Sequence, residues 1–135
     1  MGDERAPIPI STYQAPAAIG PYSQGVISGG FVFVSGQLPI NPETGDFVKG
    51  GLDRKIHQIL KNIKAVLNEA GTDFSHVVKT TVFLTNMADF ANVNKIYSHY
   101  FEAFFPARSV VQVAGLPKGS EILVEVIASV PDSGL

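Results

Sequence analysis

Arg108 opens a run that otherwise has the composition of a buried strand, which makes it the first candidate for chemistry in this sequence. Pro106 ends the aromatic helical pattern before it, because a proline ring excludes the α region for its predecessor. The pattern therefore predicts an arginine fixed at the mouth of a strand. Its guanidinium is permanently charged and matches a carboxylate or phosphate with a planar fork of donors. Arg108 is a candidate anion anchor; the alternative is a rim arginine paired with a surface glutamate.

Three uncharged polar residues are further candidates for ligand contacts. Tyr22 lies in a Gly- and Pro-rich loop, residues 15–25, that is rigid enough to present it; the alternative is a half-buried ring with its hydroxyl satisfied by backbone. Ser35 stands where a strand becomes a loop, and it could instead bond its own turn. Asn94 falls on or beside the apolar stripe of a helix, where its amide must find a partner, either a ligand or a loop carbonyl.

Two glutamates lie close together near the C-terminus. Strand alternation places Glu121, Leu123 and Glu125 on one face, so the carboxylates either serve a site or form a solvated or ion-paired face. His57 neighbours Lys61 on the exposed side of a predicted helix and has no second metal-binding side chain at helical spacing, so we interpret it as a surface histidine. The sequence has no cysteine, which excludes disulfides, thiolate nucleophiles and thiolate metal sites.

Hydrophobic periodicity predicts the elements that position these residues. Gly29-Gly30 between two β-rich runs predicts a hairpin of 26–28 with 31–35. Apolar residues at three- and four-residue steps predict a helix from Leu52 to Ala70, which Gly71 stops. The remaining predictions are a strand over 77–85, a helix from Asp89 through Phe104, strands over 108–115 and 121–130, and a short edge strand over 11–14.

The order of these elements predicts an α+β domain of two layers, with a mixed sheet and two helices on one face. Both faces of several strands are apolar, including Phe31 to Val34, so we expect the second sheet face to be buried against another subunit. A cyclic oligomer with sites between subunits follows. Residues 1–135 are expected to form a single domain, with 1–10 and 131–135 loose.

The composition limits the classes of partner. The net charge of −2 gives no basic field for a phosphate backbone, so nucleic acid is not the expected partner. Only 16% of residues are charged, and homo-oligomerisation would cover the apolar surface this implies. The first six residues are acidic and lack an apolar core, and no apolar run approaches membrane-spanning length. We therefore expect a cytoplasmic protein without membrane contact.

Several segments together carry a resemblance to a known family. They are Ala15-Pro16-Ala17-Ala18-Ile19-Gly20-Pro21-Tyr22-Ser23-Gln24-Gly25, Val34-Ser35-Gly36-Gln37, Val77 to Phe83, Asp89-Phe90-Ala91 with Val93-Asn94, and Pro106-Ala107-Arg108-Ser109 through Leu116-Pro117-Lys118. The chain resembles the YjgF/YER057c/UK114 family, which includes RidA-type imine deaminases and is also called the endoribonuclease L-PSP family. The resemblance implies a chorismate-mutase-like fold, a homotrimer, and ligand clefts between subunits. It also implies hydrolysis of enamines and imines released by pyridoxal-phosphate enzymes to 2-keto acids and ammonia, without a cofactor or metal.

The resemblance assigns roles to individual residues. Arg108 matches the family arginine that pairs with the substrate carboxylate. Tyr22, Ser35 with Gly36, and Asn94 match residues that line the cleft. A further position, often cysteine in the family and contacting the ligand through its backbone, is Val110 here.

One position departs from the family pattern. The glutamate that positions the hydrolytic water in family deaminases falls at Leu123, and leucine can neither order water nor act as a base. Glu125 matches a second family glutamate. Because Glu121 and Glu125 should share the face of Leu123, a local bulge or a longer reach could restore a carboxylate.

Three functions remain open at this level. The first is cofactor-free hydrolysis of 2-imino and enamine acids, such as 2-iminobutanoate and 2-iminopropanoate, with Arg108, Tyr22 and Glu125 in the reaction. The second, motivated by Leu123, is a non-catalytic trimer that binds or senses small carboxylates. The third is an endoribonuclease or translation inhibitor; the net charge of −2 and the lack of a histidine pair for RNA cleavage count against it.

Overall fold

The computed structural model describes residues 6–131 and contains six strands, two α-helices and four short 3-10 turns. The elements are β1 (Ile8–Ile10), β2 (Gly25–Ser28), β3 (Phe31–Gln37), α1 (Leu52–Glu69), β4 (Val77–Leu84), α2 (Phe90–Tyr97), β5 (Ala107–Gln112) and β6 (Ile122–Ser129). The 3-10 turns are Phe74–His76, Met87–Asp89, Ser98–Tyr100 and Pro117–Gly119. Within residues 6–131, no helix has the length and apolarity needed to cross a bilayer.

The strands form one mixed sheet in the order β1-β2-β3-β6-β4-β5. β6 is antiparallel to β3 and to β4 and lies between them, so β3 and β4 run parallel. β4 and β5 are parallel neighbours. Parallel strands need a crossover, and α1 and α2 supply the two crossovers. The predicted α+β architecture, with helices covering one sheet face, is confirmed.

The core lies between the helices and one face of the sheet. On α1 the buried stripe includes Ile59, Ile63 and Leu67, each fully excluded from solvent. Alternation along β6 buries Ile122 and every second residue after it, as predicted. Full burial of such a side chain contributes roughly 1.5–3 kcal/mol, so this layer dominates the folding free energy.

The predicted stop signals act as expected. Gly29 and Gly30 have φ values of 61° and 83°, the positive values that a two-residue hairpin turn between β2 and β3 requires. Gly71 has φ of 87° after α1, where its N–H donates to Asn68 and the next N–H donates to Leu67. This pair of bonds is a Schellman motif, and it satisfies carbonyls that the helix end leaves open.

The N-terminal prediction is wrong in two respects. Ile8–Ile10 is not loose: it pairs antiparallel with β2, and Ile10 is only 9% exposed. Pro9 is tolerated because β1 is an edge strand. Residues 11–14 are not a strand, because the buried amide of Gln24 binds the backbone of Thr12 and fixes a turn instead. The prediction for residues 1–5 and 132–135 lies outside the described residues.

Other boundaries differ for reasons of packing. α2 ends at Tyr97, and after a 3-10 turn Phe101 leaves the helix to pack against Phe74 and Tyr97 at ring-centroid distances of 5.5 and 4.7 Å. β5 ends at Gln112, three residues before the predicted end. Asn62, which α1 periodicity places on a polar face, is fully buried, because its amide donates to the Leu38 and Ile40 carbonyls.

The second face of the sheet carries large apolar side chains without a cover among residues 6–131. Phe31, Phe33 and Val111 are 40%, 45% and 42% exposed. We call this surface the open face.

Candidate functional site

A cavity of about 660 Å³ lies where the loop before β2 meets the open face at β3 and β6. Its lining includes Tyr22, Ser35, Gly36, Leu123 and Glu125. The volume falls in the range typical of small-molecule sites. Four of the predicted site residues therefore share one cavity with Leu123, the residue that differs from the expected pattern.

A β-bulge shapes the wall of this cavity. Val34 pairs with Val126 and Gln37 with Val124, so Ser35 and Gly36 together oppose Glu125 alone. A bulge of this kind bends its strand and re-aims side chains, and bulges occur often beside active sites. A bulge near Glu121 to Glu125 was one way to bring a carboxylate to the position of Leu123, but the bulge lies on β3, the strand beside β6.

Ser35 is fixed by a contact across the loop. Its Oγ donates to the Ser23 carbonyl at 2.6 Å, and its N–H donates to the Gln24 carbonyl at 2.9 Å. The hydroxyl therefore does not bond its own turn. Because a hydroxyl has one hydrogen and two lone pairs, Ser35 can still accept a hydrogen bond in the cavity.

Gly36 allows Leu123 to lie against the bulge. A Cβ added at Gly36 would stand 2.5 Å from Leu123 Cδ2 and 2.9 Å from its Cγ. The leucine side chain thus occupies the space over a glycine backbone. Phe83 lines the same cavity, so this part of the wall is apolar.

The two glutamates have different surroundings. Glu125 is exposed and lines the cavity. Glu121 precedes β6 and forms an ion pair with Lys55 of α1 at 2.6 Å, so the prediction that it shares a face with Leu123 is wrong. Strand alternation does not reach Glu121 because Ser120 turns the chain there, donating from its Oγ to the Ile122 carbonyl. Glu125 is the only glutamate that lines this cavity among residues 6–131.

Tyr22 is carried by a loop that Gln24 ties together. Tyr22 is 51% exposed, and its ring lies about 3.5 Å from where a Cβ at Gly20 would stand. Gln24 is 4% exposed; its Nε2 donates to the carbonyls of Thr12, Ala15 and Pro16, and its Oε1 accepts from the Thr12 N–H. Sequence reasoning missed Gln24, because the backbone groups that it binds lie 8 to 12 residues earlier in the chain.

Arg108 and Asn94 meet in a second, smaller cavity of about 400 Å³. Arg108 Nη1 donates to Asn94 Oδ1 at 2.8 Å, and its guanidinium lies over the rings of Tyr97 and Phe90, 4.8 and 5.3 Å from their centroids. Asn94 is exposed, so its amide is neither buried nor bonded to a loop carbonyl.

The surroundings of Arg108 leave it available to an anion. Within residues 6–131 no carboxylate forms an ion pair with it, so the rim-pair alternative is not observed there. A guanidinium has five N–H donors, and only one donates to Asn94. Burial raises the pKa of Tyr97 above its ordinary value, opposed by a hydrogen bond with Thr80 and by the Arg108 charge. Tyr97 therefore remains a neutral ring beneath the cation.

Val110 lies two residues after Arg108 on β5, which is an edge strand of the sheet. The Val113 N–H donates to the Leu84 carbonyl at 2.8 Å. Since successive residues of a strand direct their backbone groups to alternate sides, the groups of Arg108 and Val110 face away from β4. The side chain of Val110 packs against the core, so its capacity for ligand contact lies in its backbone.

The two clusters do not meet within one chain. From β3 to β5 there are three strand spacings, or about 14 Å, and Arg108 projects to the helix side whereas Ser35 and Glu125 project to the open face. The structure thus brings Tyr22, Ser35, Gly36 and Glu125 together and Arg108 with Asn94, but separates the two sets.

Two other features bear on the site. Lys118 lines the larger cavity and has φ of 58°, an unfavourable value for a non-glycine residue that is found more often at functional sites. Asp73, Ser75 and His76 lie together, but Ser75 Oγ and His76 Nδ1 both contact Asp73 Oδ1. A catalytic triad needs the serine and the carboxylate on opposite ring nitrogens, so this cluster caps a turn. No group of three or more potential metal ligands occurs in residues 6–131.

Comparisons with known proteins give a consistent result. The sequence model described as Endoribonuclease L-PSP matches residues 12–130. The chain is 53% identical over 121 residues to the putative regulator AldR of Lactococcus lactis, covering 90% of this chain and 96% of that protein. It is 50% identical over 119 residues to human 2-iminobutanoate/2-iminopropanoate deaminase, covering 88% and 87%. A Rid-family protein of unknown function from Yersinia pestis, YyfA, superposes with a TM-score of 0.90 at 51% identity, covering 93% and 100%.

Proposed function

Because the chain belongs to the endoribonuclease L-PSP family, also known as the YjgF or RidA family, we propose that it hydrolyses small 2-imino acids and their enamines to 2-keto acids and ammonia. The proposed substrates are 2-iminobutanoate and 2-iminopropanoate, and the proposed reaction uses no cofactor. Relatives at about 50% identity carry the name of this activity. The observation that carries the proposal is Arg108, a cation held by an amide and two aromatic rings and without a carboxylate partner in residues 6–131.

Arg108 binds the substrate carboxylate through paired N–H donors, which fixes the plane of a 2-imino acid. The outward N–H of Val110 and the amide of Asn94 orient the substrate beside it. Tyr22, Ser35 and Gly36 form the opposite wall. Holding a reactive imine in one orientation lowers the entropic part of the barrier even without further chemistry.

Glu125 positions the attacking water. The water oxygen bonds to the imine carbon as Glu125 takes one proton from the water and passes it to the imine nitrogen, which gives a carbinolamine. Glu125 then takes the hydroxyl proton of the carbinolamine and passes it to the nitrogen, so that the C=O bond forms as the C–N bond breaks and ammonia leaves. Leu123 cannot share this work, which makes Glu125 the one carboxylate lining the cavity, within the described part of the chain, that can perform it.

We also propose a homotrimer in which each site is completed by two subunits. Support comes from the separation of the Arg108 cluster from the Glu125 cavity and from the uncovered aromatic residues of the open face. The absence of cysteine suits the reducing cytoplasm, which we propose as its compartment.

The proposal is tested with an amino-acid oxidase that generates 2-iminobutanoate in situ, followed by the rate of keto-acid release. Arg108→Ala is expected to reduce the protein-dependent acceleration to background. Arg108→Lys keeps the positive charge but loses the paired N–H donors of the guanidinium, so it should raise KM more than it lowers kcat. Lys49→Ala, an exposed loop cation, is the matched control. Equal rates with and without wild-type protein would refute the proposal.

A non-catalytic carboxylate-binding trimer is the second candidate, because Leu123 removes a carboxylate and one relative is named a putative regulator. Calorimetry with 2-ketobutyrate beside the rate assay separates the two: binding without acceleration favours the second. The endoribonuclease reading has less support, since the net charge is −2 and no histidine lines either cavity of the proposed site in residues 6–131.

A further inference from the structure

A separate groove of about 560 Å³ lies on the solvent side of α1 and shares no lining residue with either cluster described above. It is lined by Arg54, His57, Gln58, Lys61 and Lys64 of α1, closed by Val48 and Tyr100. Among residues 6–131 the lining contains two lysines, an arginine and a histidine but no carboxylate. On a helix these positions fall on one stripe, opposite the buried face. From Arg54 to Lys64 the stripe extends about 15 Å.

The cations of this groove are not neutralised locally. Within residues 6–131, neither Arg54, Lys61 nor Lys64 forms an ion pair, whereas Lys55 on the adjacent face is paired with Glu121. The whole chain has a net charge of −2, so the positive field belongs to this groove and not to the protein in general.

Two features hold the groove in shape. His57 Nδ1 is 2.7 Å from the Tyr100 hydroxyl, which leaves Nε2 on the side away from Tyr100. Burial raises the pKa of Tyr100, so its hydroxyl stays protonated. The Arg54 stem lies across Gly50, where φ is 116° and an added Cβ would stand 2.5 Å from Arg54 Cδ. Only glycine leaves that path open.

We propose that this groove binds a small organic molecule bearing two or more phosphate groups. His57, Lys61 and Lys64 lie within about two helical turns and suit one phosphate, while Arg54 at the other end suits the next. Val48 and Tyr100 supply apolar and aromatic surface for the organic part. A single carboxylate, the ligand class of the proposed active site, would leave most of this charge unused. The inference is therefore independent of the deaminase proposal.

The test is calorimetric titration of the full chain with inorganic pyrophosphate and with ADP, at low salt. Wild type should bind both, with ADP tighter if the apolar ends contribute. Lys61→Gln should weaken binding about tenfold, as expected for loss of one charge-assisted hydrogen bond. Lys55→Gln removes the same charge from the same helix outside the groove and should change binding less than about twofold.

Gly50→Ala is a second variant. It removes no cation from the sequence, but its added methyl group displaces the Arg54 side chain, so it should weaken binding as well. Arg108→Ala should bind pyrophosphate normally, which separates this result from any outcome of the imine assay. No binding by wild type at millimolar pyrophosphate overturns the proposal. So do equal losses in Lys55→Gln and Lys61→Gln, or lysine-dependent binding of single-stranded RNA without binding of pyrophosphate or ADP.

Discussion

Arg108 and Leu123 are the two residues on which the proposed chemistry depends most. Among residues 6–131 Arg108 donates only to Asn94, so most of its N–H groups stay available to the carboxylate that we propose as its ligand. Leu123 fills the space over Gly36 with methyl groups, so we assign the water to Glu125, on the same face of β6, as part of the proposal. The proposal therefore predicts that substrate binding and water activation can be altered separately.

The role of Glu125 is tested by exchange of carboxylates. Glu125→Gln should lower imine hydrolysis by about tenfold or more, because an amide cannot accept the proton of water. Adding Leu123→Glu to that variant should recover a large part of the rate. The neutral replacement Leu123→Gln in the same background should recover nothing. An unchanged rate in Glu125→Gln would remove Glu125 from the reaction.

The raised pKa of Tyr97 predicts that the stability of the folded state depends on pH in the alkaline range. Its pKa is raised chiefly by burial, so above the ordinary value of about 10 the folded state holds a proton that the unfolded state has lost. Stability is therefore fully present below that pH and falls as pH rises through the folded pKa. Urea midpoints measured from pH 8 to 11 should decline at the alkaline end and decline less in Tyr97→Phe. An equally steep decline in the variant would assign the effect elsewhere.

At the scale of elements, buried amides hold the loops that carry the site. Gln24 fixes residues 12–16 beside β2, and Asn62 fixes the carbonyls of Leu38 and Ile40 against α1. Both loops contribute to the larger cavity. The hydrogen bonds of Gln24 and Asn62 therefore restrain the two loops that form part of the cavity wall.

Gln24→Leu should show how much the loop depends on its anchor. The substitution leaves the Thr12 N–H and several carbonyls without partners, which costs roughly 1–3 kcal/mol for each group that stays buried. We expect lower unfolding free energy and faster amide exchange in residues 12–17. Gln14→Leu, at an exposed position of the same loop, is the control and should leave both unchanged.

At the scale of the whole molecule, the two halves of the proposed site are separate within a single chain. The Arg108 cluster and the Glu125 cavity lie on opposite faces of the sheet, and Phe31 and Phe33 remain uncovered among the described residues. A trimer that covers the open face and joins the two halves would resolve both observations.

Assembly is tested by sedimentation and by subunit mixing. The proposed trimer should sediment at about three times the 14.4 kDa chain mass, and Phe33→Glu should shift it towards monomer. Alone, subunits carrying Arg108→Ala should be inactive and subunits carrying Glu125→Gln should keep about a tenth of the rate or less. After mixing and reassembly, about a quarter of the sites should be intact if each site takes one residue from each of two subunits. No recovery after verified exchange would place both residues in one subunit.

The sequence by itself determined the layered α+β fold, because periodicity reports which side of each element is buried and glycines mark where the chain must turn. It also made Arg108 a candidate anion anchor, although its position alone left a rim ion pair equally open. The family resemblance, carried by motifs across nearly the whole chain, was equally available from sequence.

Only the tertiary structure decided which polar groups meet. Strand alternation grouped Glu121 with Glu125, but a turn at Ser120 sends Glu121 to Lys55. Asn62 and Gln24 look like surface residues in sequence and are buried because loop carbonyls distant in the chain need donors. The bulge at Ser35 and Gly36, the leucine over it, and the separation of Arg108 from Glu125 depend on which strands become neighbours in the sheet, and those strands are distant from one another in the chain.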